Sequence, residues 1–153
     1  MKATCKHLLV EYQDCDRSIL NKIEPIEDLM NEAAIAAKAT VVNSVFHRFS
    51  PQGISGVVVI EESHMSVHTW PEHGYAAVDF FTCGECDPEK AHEVLLKGLK
   101  AKNFETMMIK RGSLDEPQTM NVVKHKQKKK LVEKHELDLQ VTASVSFESS
   151  TNS

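Results

Sequence analysis

Apolar positions along the chain fall into short extended blocks, broken twice by stretches with helical spacing. Lys6 to Tyr12 (KHLLVEY) is apolar in its middle and ends in the polar turn formers Asp14 to Ser18, which predicts a first strand. From Glu27 to Lys38 the apolar residues Leu29, Met30, Ala33, Ala34 and Ala37 recur at helical spacing, and Pro25 fits just before or inside the first turn. Thr40 to Phe49 (TVVNSVFHRF) is rich in β-branched and aromatic residues and reads as a second strand, stopped by Pro51-Gln52-Gly53. Ile54 to Ile60 is nearly continuous in apolar character, which predicts a third strand covered on both faces. Met65 to Trp70 is a fourth, with Met65 and Val67 alternating against Ser66 and His68; a turn over Pro71 to Gly74 leads to a fifth, Tyr75 to Cys83. Asp87-Pro88 reads as an N-cap with proline at the first helical position, opening a second helix with Ala91, Val94, Leu95, Gly98 and Leu99 on one face. Phe104 to Lys110 predicts a sixth strand.

After Gly112 the pattern fades. Leu131 to Val141 fits either a further helix or a linker, and Thr142 to Ser153 is small, polar and without period. The expected architecture is α+β, two helices packed on a mostly antiparallel sheet in a single domain over residues 1–117, with a C-terminal tail over 118–153. A chain of 153 residues suits one core better than two. Its 18 basic and 22 acidic side chains give a net charge of −4, which offers no reason to expect a nucleic-acid partner. The basic run Lys124 to Lys134 (KHKQKKKLVEK) reads as a solvated part of the tail. No apolar run approaches the length of a membrane span, and the N-terminal stretch is interrupted by charge. The expectation is a soluble cytoplasmic protein with no membrane partner, its four cysteines Cys5, Cys15, Cys83 and Cys86 reduced.

Most of the chemically capable side chains sit between Ile54 and Gly84: Ser63, His64, His68, Trp70, Glu72 and Cys83. Cys83 and Cys86 form a C-x-x-C, but Cys5 and Cys15 have the wrong spacing to complete a four-cysteine zinc site, and a redox pair normally heads a helix in a βαβ unit. No metal is expected. If Pro71 to Gly74 closes a regular hairpin, Trp70 faces Tyr75 and Glu62 lies opposite Cys83, beside the Glu62-Ser63 peptide bond. The same register puts His68 roughly 16 Å from Ser63. Either the hairpin is irregular or His68 meets Ser63 through another pairing.

The run ESHMSVHTWPEHGYAAVDFFTCG, with FHRFSPQGISGVVVI before it, resembles the prokaryotic-type pyruvoyl-dependent S-adenosylmethionine decarboxylases, from about His7 to Arg111. Taken singly, Ser63 reads as a turn hydroxyl, His68 as a strand histidine and Cys83 as a buried apolar residue; the combined order is specific. The resemblance implies self-cleavage between Glu62 and Ser63, the Ser63 hydroxyl attacking the Glu62 carbonyl and the new N-terminus becoming a covalent pyruvoyl group. It implies that His68 takes the Ser63 α-proton with help from Ser55, imidazole being suited to accept a proton near neutrality. It further implies that the pyruvoyl ketone forms a Schiff base with the substrate amine and takes up the electrons released with carbon dioxide. Cys83 then matches the proton donor to the substrate α-carbon, and Phe49, Trp70 and Glu72 match positions that stack on the purine and hold the ribose. S-adenosylmethionine is thus the implied substrate, on the route to spermidine, and a homodimer of cleaved protomers the implied assembly. The alternatives are a pyruvoyl-dependent arginine or ornithine decarboxylase, or a binding protein of the same fold that never cleaves.

Overall fold

The computed structural model describes residues 4–112 and 120–128. Seven strands and two helices follow one another as β1 (Cys5–Gln13), α1 (Ile23–Ala36), β2 (Val41–Arg48), β3 (Ile54–Ile60), β4 (Ser63–Trp70), β5 (Tyr75–Cys83), α2 (Pro88–Gly98), β6 (Asn103–Arg111) and β7 (Asn121–Lys128). They form one sheet in the order β2-β3-β4-β5-β1-β6-β7, with every neighbouring pair antiparallel. The α+β expectation of two helices on one antiparallel sheet holds.

Both helices cover the same face of the sheet, and strand alternation sorts the side chains accordingly. Leu8, Val10 and Tyr12 of β1, Val58 of β3, Met65 and Val67 of β4, and Val78 and Phe80 of β5 are buried together with Ile26, Met30, Ala33 and Ala34 of α1 and Ala91 and Leu95 of α2. Each of the larger side chains among them, such as Leu8, Val58, Met65 and Phe80, contributes roughly 1.5–3 kcal/mol by leaving water. The Asp87 carboxylate accepts from the Glu89 N–H at 3.0 Å and caps α2, as its sequence predicts. Gly98 lets the helices meet: a Cβ there would lie 2.2 Å from Leu29 Cδ1.

Among the described residues, no helix covers the opposite face. β3 therefore alternates buried and exposed, with Val57 and Val59 about 40% exposed, where continuous apolar character predicted cover on both sides. The tail is corrected as well. The first residues of the basic run, 124–128, lie in β7, an edge strand paired with β6, in which Lys124 and Lys126 reach Glu89 of α2 at 2.9 and 3.5 Å. Lysines suit an edge strand, because their charge discourages further pairing. Residues 131–153, including the stretch read as helix or linker, lie outside the described residues.

Candidate active site

The β4–β5 hairpin is regular: Trp70 pairs with Tyr75, and the register runs without a break to Ser63 and Thr82. Gly74 closes its one-turn 3-10 helix, Pro71–His73, in the left-handed conformation at φ 61°, which glycine adopts without steric cost. Regularity settles one question left open by counting residues. His68 stays five residues along the strand from Ser63, roughly 16 Å away, and does not reach it within one chain.

At the Ser63 end, the chain turns from β3 into β4 through Glu61 and Glu62. Ser63 is half-buried and holds φ at 156°, in a region that residues with a side chain rarely occupy; strain of this type is of order 1–3 kcal/mol. The carbonyl before it is held in place. Glu62 O accepts from the Cys83 N–H at 3.2 Å, and the Glu62 carboxylate accepts from the Thr40 N–H at 3.1 Å. A donor on that carbonyl polarises it toward attack and stabilises the oxygen as charge builds there.

Cys83 is bonded to Cys5 in a disulfide, its cross-strand partner on β1, with the two Cα atoms 4.1 Å apart. The expectation of four reduced cysteines is thus corrected for this pair: the β1–β5 pairing sets the two side chains face to face. Cys15 and Cys86 are free and buried. Burial, helped by the neighbouring Asp14, pushes the Cys15 thiol up to about 12, so it stays protonated and unreactive. The Cys86 thiol points to the Lys38 carbonyl at 3.6 Å, and the C-x-x-C is not closed.

Sequence reasoning missed the polar network beside this pair on the uncovered face. Arg111 donates to His7 Nδ1 at 3.1 Å, so the opposite ring nitrogen, Nε2–H, donates to Asp79 at 3.0 Å. Asp79 also accepts from the Ser66 hydroxyl at 3.1 Å, and the Arg111 guanidinium lies 4.4 Å over the Phe81 ring. The available signal was Asp79 itself, a carboxylate inside an otherwise apolar strand.

The other end of the same face gathers the remaining candidates. Ser55 and His68 are cross-strand partners on β3 and β4, and Ser55 Oγ lies 2.7 Å from His68 Nδ1. Whichever partner donates, the ring is oriented and Nε2 remains for another group. Trp70, 39% exposed, stacks on Tyr75 with ring centroids 5.0 Å apart. The Tyr75 hydroxyl donates to Glu11; burial and that carboxylate hold it well above its ordinary value. Phe49, 49% exposed, stands on the β2–β3 turn with His47 edge-on at 4.7 Å. Glu72 lines an open cavity of about 540 Å³ with Arg17, Lys22 and Arg48.

The structure therefore brings Glu62, Ser63 and Cys83 together at one end and Ser55, His68, Trp70, Phe49 and Glu72 near the other. Among the described residues, no group of three or more His, Cys, Asp or Glu side chains is arranged to hold a metal ion. No helix of the described residues is long and apolar enough to cross a membrane.

Comparison with known proteins places names beside this geometry. The profile of a family described as S-adenosylmethionine decarboxylase matches residues 6–112. The chain is 54% identical over 117 residues to an S-adenosylmethionine decarboxylase proenzyme of Thermotoga maritima, covering 76% of this chain and 90% of that one. It is 51% identical over 118 residues to the proenzyme of Caldicellulosiruptor saccharolyticus, covering 76% and 95%. Among solved structures, adenosylmethionine decarboxylase from Aquifex aeolicus superposes with a TM-score of 0.67 at 34% identity, over 78% of this chain and 99% of that one. The monomer of Trypanosoma brucei AdoMetDC, at 13% identity and a TM-score of 0.52, shares the fold over 68% of this chain and 45% of its own.

Proposed function

The chain belongs to the S-adenosylmethionine decarboxylase family, and from that premise we propose that it cleaves itself between Glu62 and Ser63 and decarboxylates S-adenosylmethionine through a pyruvoyl group derived from Ser63. The observation that carries the cleavage is the backbone at that bond: a serine at φ 156° follows a carbonyl already accepting a hydrogen bond from Cys83 N–H. Attack of Ser63 Oγ on the Glu62 carbonyl converts the amide to an ester, relieving the strained conformation while the Cys83 N–H stabilises the developing oxyanion. Loss of the Ser63 α-proton with the Glu62 carboxylate as leaving group, then hydrolysis, leaves the pyruvoyl group and frees ammonia. Once formed, the pyruvoyl group supplies the electron sink for the bond to the departing carboxylate.

The residues around it divide the remaining work. His68, oriented by Ser55, accepts the Ser63 α-proton during processing. The Cys83 thiol, in its reduced form, delivers a proton to the substrate α-carbon after carbon dioxide leaves. Phe49 and Trp70 present exposed ring faces to the purine, and Glu72 accepts from the ribose hydroxyls. Arginine and ornithine offer no purine to stack on two aromatic faces, and the similar proenzymes carry S-adenosylmethionine in their names.

The separation of Ser63 from His68 bears on assembly. A homodimer in which the partner protomer supplies the Ser55–His68 pair and the aromatic rings completes each site, and the helix-free face of the sheet is the surface available for it. The product serves as the aminopropyl donor for spermidine in the cytoplasm, without nucleic acid or membrane. The test is intact mass. Purified protein should separate into a 62-residue chain and a 91-residue remainder beginning with pyruvate, whereas Ser63→Ala stays whole. Wild-type chain that remains uncut after long incubation, and releases no carbon dioxide from S-adenosylmethionine, would reject the reading.

A further inference from the structure

We infer that Cys5 is an oxidative modification partner of Cys83, and that the disulfide between them is the reversibly inactive form of the enzyme. The inference rests on the reading of Cys83 as the proton donor. Cys5 and Cys83 are directly opposed on β1 and β5. These strands lie in the interior of the sheet, each paired on both sides, so backbone pairing alone keeps opposed Cα atoms roughly 4.5–5.5 Å apart, close to the 4.1 Å seen with the bond closed. Reduction leaves the two thiols opposed on neighbouring strands, and re-oxidation needs only a slight approach of the two. Cys83 is the more accessible of the two, half-buried where Cys5 is 8% exposed. Arg111 is the register partner of Cys5 on β6, bringing a cation into this corner of the sheet, where positive charge favours the thiolate that must attack.

The chemistry is thiol–disulfide exchange with a small-molecule disulfide. The Cys83 thiolate attacks one sulfur of the oxidant and releases its other half as a thiolate. The Cys5 thiolate then attacks Cys83 Sγ, releasing the second half. Two cysteine thiols give up two electrons and two protons, and the oxidant becomes two small thiols. Cys83 in the disulfide has no S–H to deliver, so turnover stops. Processing does not depend on that proton, because the hydrogen bond to the Glu62 carbonyl comes from the Cys83 backbone N–H. Self-cleavage adds a signature: Cys5 falls on the 62-residue chain and Cys83 on the remainder, so oxidation ties the two chains together.

The experiment uses cleaved wild-type protein in buffers of graded oxidised-to-reduced glutathione ratio, with carbon dioxide release from S-adenosylmethionine measured beside non-reducing gels and intact mass. Activity should fall roughly a hundredfold, the scale of a lost general acid, in step with linkage of the two chains, and return with excess reduced glutathione. Cys5→Ser should never link the chains and should stay within about twofold of its reduced activity at the ratio that half-inactivates wild type, because a mixed disulfide lacks the intramolecular advantage. Chains that stay separate at every ratio, or a linked enzyme that turns over normally, overturn the inference. A Cys83→Ser enzyme as active as wild type overturns instead the proton-donor reading beneath it, and the two failures are separately visible.

Discussion

The two ends of the sheet differ in what they enclose. At the Ser63 end, central strands surround a strained serine, a paired cysteine and the Arg111–His7–Asp79 network, with these side chains half-buried or buried. At the Trp70 end, near the turns, aromatic rings stand about 40–50% exposed beside a hydrogen-bonded Ser–His pair and a cavity that admits solvent. The first end has the atoms proposed to react without the histidine proposed to take the α-proton; the second has the proposed recognition groups without an electrophile. β4 carries Ser63 as its first residue and Trp70 as its last, roughly 23 Å apart at the usual rise, so no side-chain rearrangement within one protomer unites them. The separation points to catalysis built between two copies.

Complementation is the most severe way to break this comparison. On the proposed assembly, Ser63→Ala and His68→Ala homodimers should each fail to mature, for lack of the proposed nucleophile and of the proposed base respectively. Co-expressed, they should form mixed dimers in which one of the two sites has both residues intact, so random pairing should restore about a quarter of wild-type sites. Carbon dioxide release and the appearance of a pyruvoyl-bearing chain from the His68→Ala parent measure it. If the mixture stays inactive while sedimentation shows mixed dimers, the two ends do not complete one another.

A smaller effect separates recognition from processing. Trp70→Ala and Phe49→Ala remove stacking faces at the exposed end, each expected to cost roughly 1–3 kcal/mol in transition-state binding, about tenfold to a hundredfold in kcat/KM. Cleavage at Ser63 should continue at its wild-type rate, since these rings are proposed to touch only substrate. Equal loss of cleavage and turnover would instead make them structural.

What could be read in the sequence divides along the same line. β3 and β5 match their expected bounds because apolar or alternating residues run between strong turn signals, and hairpin counting correctly opposed Glu62 to Cys83. β4 was expected from Met65, two residues late, since Ser63-His64 carries no strand preference of its own. The Cys5–Cys83 bond and the Arg111–His7–Asp79 network depend on β1 lying between β5 and β6, a long-range ordering that local periodicity does not contain. The run Lys124 to Lys134 reads as solvated charge because it has little to bury; the backbone pairing of residues 121–128 to β6, supported by Lys124 and Lys126 on Glu89, makes its first part a strand. The residues proposed for recognition come from the family resemblance, whereas their distance from Ser63 follows from strand geometry alone.

The smallest expected effect is a control that belongs to neither end. His92 of α2 lies on the helix-covered side, 2.8 Å from the Tyr12 hydroxyl and edge-on to Phe104, and burial holds its pKa below the ordinary 6.5. The unfolded chain therefore binds a proton that the folded protein refuses in the window just below pH 6.5, so stability is full above that pH and falls as the pH drops toward the folded-state value. Asp16, lowered by the Ser18 hydroxyl, and Glu89, lowered by Lys124, lose their contributions only further down, below their ordinary 3.8 and 4.5. Melting temperatures of the Ser63→Ala and Trp70→Ala proteins should thus decline by the same modest amount between about pH 6.5 and pH 5, and His92→Gln should flatten that decline in both backgrounds. A decline specific to one background would mean that its end of the sheet is coupled to the covered face, and activity lost there could no longer be assigned to chemistry at that end alone.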